Sequence, residues 1–142
     1  GSKGWEACTR VRFLHAKVRR RLSKTGKAKL ENVAINQEDL SVTLLAFSYN
    51  VLIGIEFYLG RPLSDEEQRG YLHVWRYIGF LMGIKDEVNP CRGDVQLAKA
   101  ELESMLMHLI HPDEGSRKVV HHMLSATGNS RMPYEGRTLV LR

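Results

Sequence analysis

Apolar residues recur in this sequence mainly at the spacing of the α-helix, three or four residues apart. The alternation of apolar and polar residues that is typical of a half-buried strand is almost absent before the last few residues. This periodicity predicts an all-α bundle of about five helices. A chain of 142 residues is long enough to bury one core but short for two, so we expect a single domain.

The first two predicted helices are separated by a polar, glycine-containing stretch, SKTGKAK. The first helix is expected at about 5–23. Asn36 and Asp39 have the spacing of a capping box, which predicts the start of a second helix near 37–59. That helix is apolar on nearly every side, yet polar residues interrupt it and it falls short of the roughly 20 apolar residues that a bilayer requires. We therefore predict a buried central helix.

Capping signals also mark the later helices. Ser64 and Glu67 form a second capping-box pattern, directly after Pro62. Three further helices are expected. The first spans about 65–83, the second begins after a cap at Asp94 and ends before Pro112, and the third spans about 116–126. Residues 1–128 are thus predicted to form the helical domain, and 129–142 an irregular tail whose TLVLR end has no strand to pair with.

The formal net charge is +5, and lysines and arginines are concentrated between Lys17 and Lys29. Such a run suits an anionic partner, or it is the solvated face of a helix that continues into a polar loop. No aromatic residue is interleaved among these cations, so the stacking platform of a single-strand nucleic-acid binder is missing. We expect no nucleic acid partner, and peripheral association with a membrane stays open.

Several classes of chemistry lack their sequence signatures. Cys8 and Cys91 lie in no C-x-x-C or C-x-x-C-H pattern, which argues against covalently attached haem and a cysteine-based zinc site. The nucleophile elbow G-x-S-x-G, the Walker loop and the dinucleotide motif G-x-G-x-x-G are also missing. Serine hydrolysis, phosphoryl transfer and dinucleotide use are therefore disfavoured.

His15 lies inside the apolar stripe of the first predicted helix, in the segment VRFLHAKVRRRL. At 100° per residue its side chain points inward, while Arg12 and Arg19 lie one turn before and after it at the border with water. An imidazole, an apolar wall and guanidinium groups together suit haem b. A buried histidine that is hydrogen-bonded to a neighbouring helix explains the same pattern.

The other histidines have simpler interpretations. His73 lies among aromatic residues and is expected to pack against them. His108 and His111 are three residues apart, and His121 and His122 follow, but no H-E-x-x-H pattern accompanies them. A histidine metal site in this region is a minor alternative.

Three segments of the chain, taken in order, resemble segments of a known family. They are RVRFLHAKVRRRL, INQEDLSVTLLAFS and YLHVWRYIGFLMGI. They are similar to the rubber oxygenases, or latex-clearing proteins, and to the fungal MpaB-type oxygenases bound to the endoplasmic reticulum. The resemblance covers about residues 4–84 and continues faintly beyond them. It implies an all-helical fold, non-covalent haem b, and cleavage of a C=C bond of an isoprenoid or terpenoid chain by dioxygen.

The resemblance also implies roles for individual residues. The histidine of the LHA motif is the proximal iron ligand in that family, and it corresponds to His15. Arg19 completes the longer H-A-x-V-R pattern and is expected to support the haem surroundings. Arg12 is expected to have a similar role. Asp39 and Thr43 are candidates to accept a hydrogen bond from the other ring nitrogen of His15. The localisation stays open: an intracellular parent protein, with or without an association with the endoplasmic reticulum, fits the resemblance.

The chain departs from the family pattern in two places. Further helices precede the haem-ligand helix in relatives and supply the distal side, so we expect this chain to be an N-terminally incomplete piece. Ala34 stands where relatives commonly have a proline before the INQ segment, which loosens that turn. A different hypothesis remains beside the oxygenase: a cofactor-free helical interaction module whose basic first helix meets an acidic partner or a membrane surface.

Overall fold

A computed structural model describes residues 1–24, 33–108 and 110–128, and of 126–128 only the backbone. Every regular element in these ranges is helical, which confirms the all-α prediction. The elements are α1 (Lys3–Lys24), α2 (Gln37–Phe47), α3 (Tyr49–Leu59), α4 (Asp65–Met82), α5 (Val95–His108) and α6 (Glu114–Gly128), with a 3₁₀ turn at Asp86–Val88. The predicted tail 129–142, including its TLVLR end, lies outside the described residues.

The chain divides into two compact units, Gly1–His108 and Leu109–Arg142. The first contains α1 to α5 and the second contains α6. This division does not test the predicted domain of residues 1–128, which stays a prediction.

The capping residues act as their spacing predicted. Asn36 accepts a hydrogen bond from the amide of Asp39, and the Asp39 carboxylate accepts one from the amide of Asn36. Ser64 and Glu67 form the same reciprocal pair at the start of α4. These two boxes satisfy amides that lack partners within the helix, and so they fix where α2 and α4 begin.

The predicted central helix is divided at Ser48, whose backbone angles, φ −99° and ψ −87°, are not helical. The Ser48 hydroxyl donates to the carbonyl of Leu44 at 2.7 Å and accepts from the thiol of Cys91 at 3.3 Å. A serine bonded to the carbonyl four residues earlier often bends a helix. Burial raises the pKa of the Cys91 thiol, so the thiol stays protonated and remains the donor in this pair.

The core of the first unit lies where α2, α4 and α5 meet. α2 packs against α3, α4 and α5, while α1 packs against α4. The buried apolar residues of this cluster are Leu40, Leu44, Leu45, Leu72, Ile84, Cys91 and Ala98. α1 has no fully buried residue, so it lies at the edge of this core.

By length and composition, the segment Gln37–Leu59 is the one described segment that could cross a membrane. Its most apolar 18-residue window has a mean hydropathy of 1.6, and 39% of that window is buried in the structure. Core helices of soluble proteins have the same properties. The prediction of a buried central helix holds for α2, whereas α3 exposes most of its apolar side chains.

Candidate functional site

His15 lies at the boundary between two cavities. One is apolar, with a volume of about 380 Å³, and the other is polar, with about 400 Å³. Leu40 and Met82 line both cavities together with His15, so the two are neighbours. Each volume is within the usual range for small-molecule sites.

The apolar cavity is formed by three helices. α1 contributes the turn from Ala7 to Val11 together with His15, α2 contributes its inward face, and α4 contributes its C-terminal half with the segment that follows it. The wall is aliphatic and aromatic apart from the His15 imidazole, the Thr43 hydroxyl and the sulfur atoms of Cys8 and Met82. Its other residues are Ala7, Cys8, Val11, Leu40, Leu44, Phe47, Trp75, Ile78, Met82 and Ile84.

The imidazole of His15 has an unusual environment. Its Nδ1 atom is buried and has no hydrogen-bond partner among the residues that the structure describes. A buried polar atom without a partner costs about 1–3 kcal/mol. Native structures contain few such atoms, and each one has a specific cause, such as strain, a bound water or ion, or a functional role.

Arg12 and Arg19 both line the polar cavity, as their predicted positions on α1 require. Arg12 donates to the carbonyl of Leu81 at 3.3 Å. Arg19 donates from Nε to the carbonyl of Ala34 at 3.2 Å and from Nη2 to that of Ile35 at 2.7 Å. The two guanidinium groups therefore connect α1 to the end of α4 and to the segment before α2.

The segment that Arg19 holds contains an unusual backbone conformation. Ile35 has φ +57°, in the left-handed region that β-branched residues rarely adopt. Its carbonyl receives the shorter of the two Arg19 hydrogen bonds. This contact helps to stabilise a conformation that is unfavourable by itself.

Gln37 is a member of the site that the sequence did not single out. Its amide donates to the carbonyl of Gly83 at 3.0 Å, and its carbonyl oxygen accepts from the amide of Lys85 at 2.9 Å. Both contacts join the first turn of α2 to the segment that follows α4. Gln37 belongs to the INQ motif, and this motif was the one sequence signal that pointed to it. Its partners are 46 and 48 residues away along the chain, so a short window of sequence does not reveal them.

Neither Asp39 nor Thr43 makes a hydrogen bond to the buried Nδ1 of His15, which has no partner among the described residues. The Asp39 carboxylate is exposed and engaged in the capping box. The Thr43 hydroxyl donates to the carbonyl of Asp39 at 2.8 Å. Local backbone acceptors and donors thus satisfy both side chains, although Thr43 still lines the apolar cavity.

The remaining histidines do not assemble into a metal site. His73 is exposed on α4, and no group of three or more histidine, cysteine or acidic residues with metal-ligand geometry occurs in the described part of the chain. In α6 the rings of His121 and His122 are 6.4 Å apart, and His122 Nδ1 lies 3.0 Å from the Lys118 carbonyl. The minor alternative of a histidine metal cluster near these residues finds no support.

The model of one protein family matches residues 1–142, the whole chain. Its description is ER-bound oxygenase mpaB/B′ and rubber oxygenase, catalytic domain. The chain belongs to this family. No curated protein and no solved structure matches the chain significantly. Membership of the mpaB and rubber oxygenase family confirms the resemblance that three segments had indicated, and assigns the chain to an oxygenase catalytic domain.

Proposed function

We propose that this member of the family is a haem b-dependent oxygenase that uses dioxygen to cleave a C=C bond of an isoprenoid or terpenoid chain. In this proposal His15 is the proximal iron ligand. The single observation that carries it is the buried, unpartnered Nδ1 of His15, a residue that lines both the apolar cavity and the polar cavity. Membership of an oxygenase family supplies the reaction class.

The residues around His15 fit the chemical parts of haem b. An imidazole is a common axial ligand for haem iron, and an apolar wall suits the macrocycle. Arg12 and Arg19 supply guanidinium groups, which pair with carboxylates such as those of the haem. When bound, the haem would supply the activation of dioxygen that protein side chains do not provide.

His15 has to present a neutral ring nitrogen in order to bind a metal, because protonation occupies the lone pair. In metal sites the second ring nitrogen usually donates a hydrogen bond that fixes the tautomer. Thr43, on the same cavity wall, remains our candidate for this role, and Asp39 supports it by holding the first turn of α2.

The apolar cavity also determines the class of substrate that we propose. Its lining, among the described residues, is mostly apolar and contains no lysine, arginine, aspartate or glutamate that an incoming molecule would meet. Dispersion contacts and the removal of apolar surface from water would hold an isoprenoid chain there. Because such contacts have little direction, we expect selection by shape and length more than by functional groups.

Absorption spectroscopy of the 142-residue chain, expressed with excess haem, tests the proposal. We expect a Soret band that is lost or strongly shifted in His15→Ala. His73→Ala is the matched control, because His73 is an exposed histidine on α4 outside both cavities. Incubation of the haem-loaded chain with dioxygen and a polyisoprene oligomer should yield carbonyl products.

Two results would contradict the proposal. One is a chain that folds, as circular dichroism reports, and yet takes up no haem. The other is a Soret band that is the same in the parent chain and in His15→Ala, which would assign the haem to a different ligand.

A further inference from the structure

The two sides of α1 differ in their chemistry. The inward side carries His15, Arg12 and Arg19, which line the cavities described above. α1 contains eight lysines and arginines but one carboxylate, Glu6. Six of these cations are exposed and line neither of the cavities at His15: Lys3, Arg10, Lys17, Arg20, Arg21 and Lys24.

These six cations have no carboxylate partner. None takes part in an ion pair with any residue that the structure describes. The described ion pairs lie instead on α4, α5 and α6, with Asp86 in the 3₁₀ turn and Arg92 in the segment before α5. The positive charge of α1 is therefore not neutralised within the described fold, which favours an anionic partner outside it.

Two large apolar side chains lie within this cationic face. Phe13 is 66% exposed and Leu14 is 57% exposed. Arg10 and Lys17 are three or four residues from both, so on the helix surface each apolar side chain has a cation on either side. We name this face, with its six cations, Phe13 and Leu14, the outer face of α1.

We propose that the outer face of α1 docks on an anionic lipid surface. In an interfacial helix, cations contact the lipid headgroups while leucine and aromatic side chains enter the boundary with the acyl chains. The pairing of Phe13 with an aliphatic leucine favours lipid over single-stranded nucleic acid, because binding of successive bases requires several aromatic rings. This inference does not rest on haem binding by His15.

Sedimentation with lipid vesicles tests the docking. The 142-residue chain is mixed with vesicles of phosphatidylcholine alone, or of phosphatidylcholine with 30% phosphatidylserine. We expect co-sedimentation with the anionic vesicles and little with the neutral ones. Raising the salt from 0.1 to 0.5 M should weaken the binding, because salt screens exposed charges.

A triple charge reversal, Arg10→Glu with Lys17→Glu and Arg21→Glu, should lower the affinity for the anionic vesicles by about twentyfold or more. The matched control reverses three exposed cations outside α1: Arg61→Glu, Arg69→Glu and Lys85→Glu. The control has the same net charge as the α1 variant, so any difference in binding reports the position of the charges. If the outer face is the docking surface, the control should bind at least about tenfold more tightly than the α1 variant.

A second variant keeps the test valid if the charge reversal unfolds the chain. Phe13→Ser changes no charge and replaces an exposed side chain, so it should fold and yet bind the anionic vesicles several-fold more weakly. Equal binding by the two triple variants would overturn the proposal, as would equal binding to neutral vesicles. Tighter binding to a labelled 20-nucleotide single strand than to the vesicles would assign the outer face to nucleic acid instead.

Discussion

α2 and α3 follow one another along the chain and have 11 residues each, but they are buried to very different extents. α2 buries four residues, whereas α3 buries one, Leu52. Phe57 and Tyr58 of α3 are 88% and 89% exposed. α3 is the more apolar of the two by composition, so apolar composition alone does not determine which helix enters the core.

The neighbours of each helix explain the difference. α2 lies against α4 and α5, and its inward face also lines the apolar cavity. α3 contacts chiefly α2 and α5. The two helices also begin differently: α2 has a capping box, whereas α3 begins at Ser48 without a side-chain cap. Structure at this level is determined by tertiary partners as well as by local sequence.

The largest expected effect of a single substitution is in the buried part of α2. Leu45 is fully buried in the core cluster, so Leu45→Ala should lower the free energy of unfolding by about 2–5 kcal/mol through lost apolar burial and the cavity left behind. Urea unfolding followed by circular dichroism measures this change. If the alanine variant does not fold, Leu45→Met should still cost less than about 1.5 kcal/mol.

A smaller effect is expected at the capped start of α2. Asn36→Ala removes the side chain that accepts the Asp39 amide, and it should cost about 1 kcal/mol. Asn36→Ser retains an acceptor at the cap and should lie within a few tenths of a kcal/mol of the parent chain. An equal loss in the alanine and serine variants would show that Asn36 acts through something other than its capping oxygen.

The smallest effect is expected on α3. Tyr58→Ser replaces a side chain that is almost fully exposed, so the free energy of unfolding should change by no more than about 0.5 kcal/mol. A loss comparable to that of Leu45→Ala would mean that α3 is buried in solution. That result would remove the contrast between the two helices.

Local signals in the sequence predicted much of this fold. The helical period and the cap residues at Asn36, Ser64 and Asp94 gave the starts of three helices close to where the structure has them. They act through neighbouring amides, so a short window of sequence contains the necessary information. The position of His15 beside an apolar wall was predictable for the same reason, from the facing of a single helix.

The features that the sequence did not predict depend on distant parts of the chain. The division at Ser48 is accompanied by the contact of its hydroxyl with Cys91, 43 residues away. Arg19 was expected near the haem, and in the structure it donates to two backbone carbonyls in the segment before α2. Every residue has a backbone carbonyl, so the sequence does not indicate which ones an arginine will contact. The exposure of α3 likewise follows from its neighbours, and a hydropathy pattern does not specify them.

The Arg19 contacts with the Ala34 and Ile35 carbonyls have a consequence for how His15 is aimed. α1 packs against α4 but buries no residue completely, so hydrogen bonds contribute to fixing its rotation about its own axis. Hydrogen bonds depend on angle as well as on distance, and a planar guanidinium joined to two successive carbonyls restricts that rotation in a way that apolar contacts do not. Together with the hydrogen bond from Arg12 to the Leu81 carbonyl, these contacts help to set the direction in which α1 presents the imidazole.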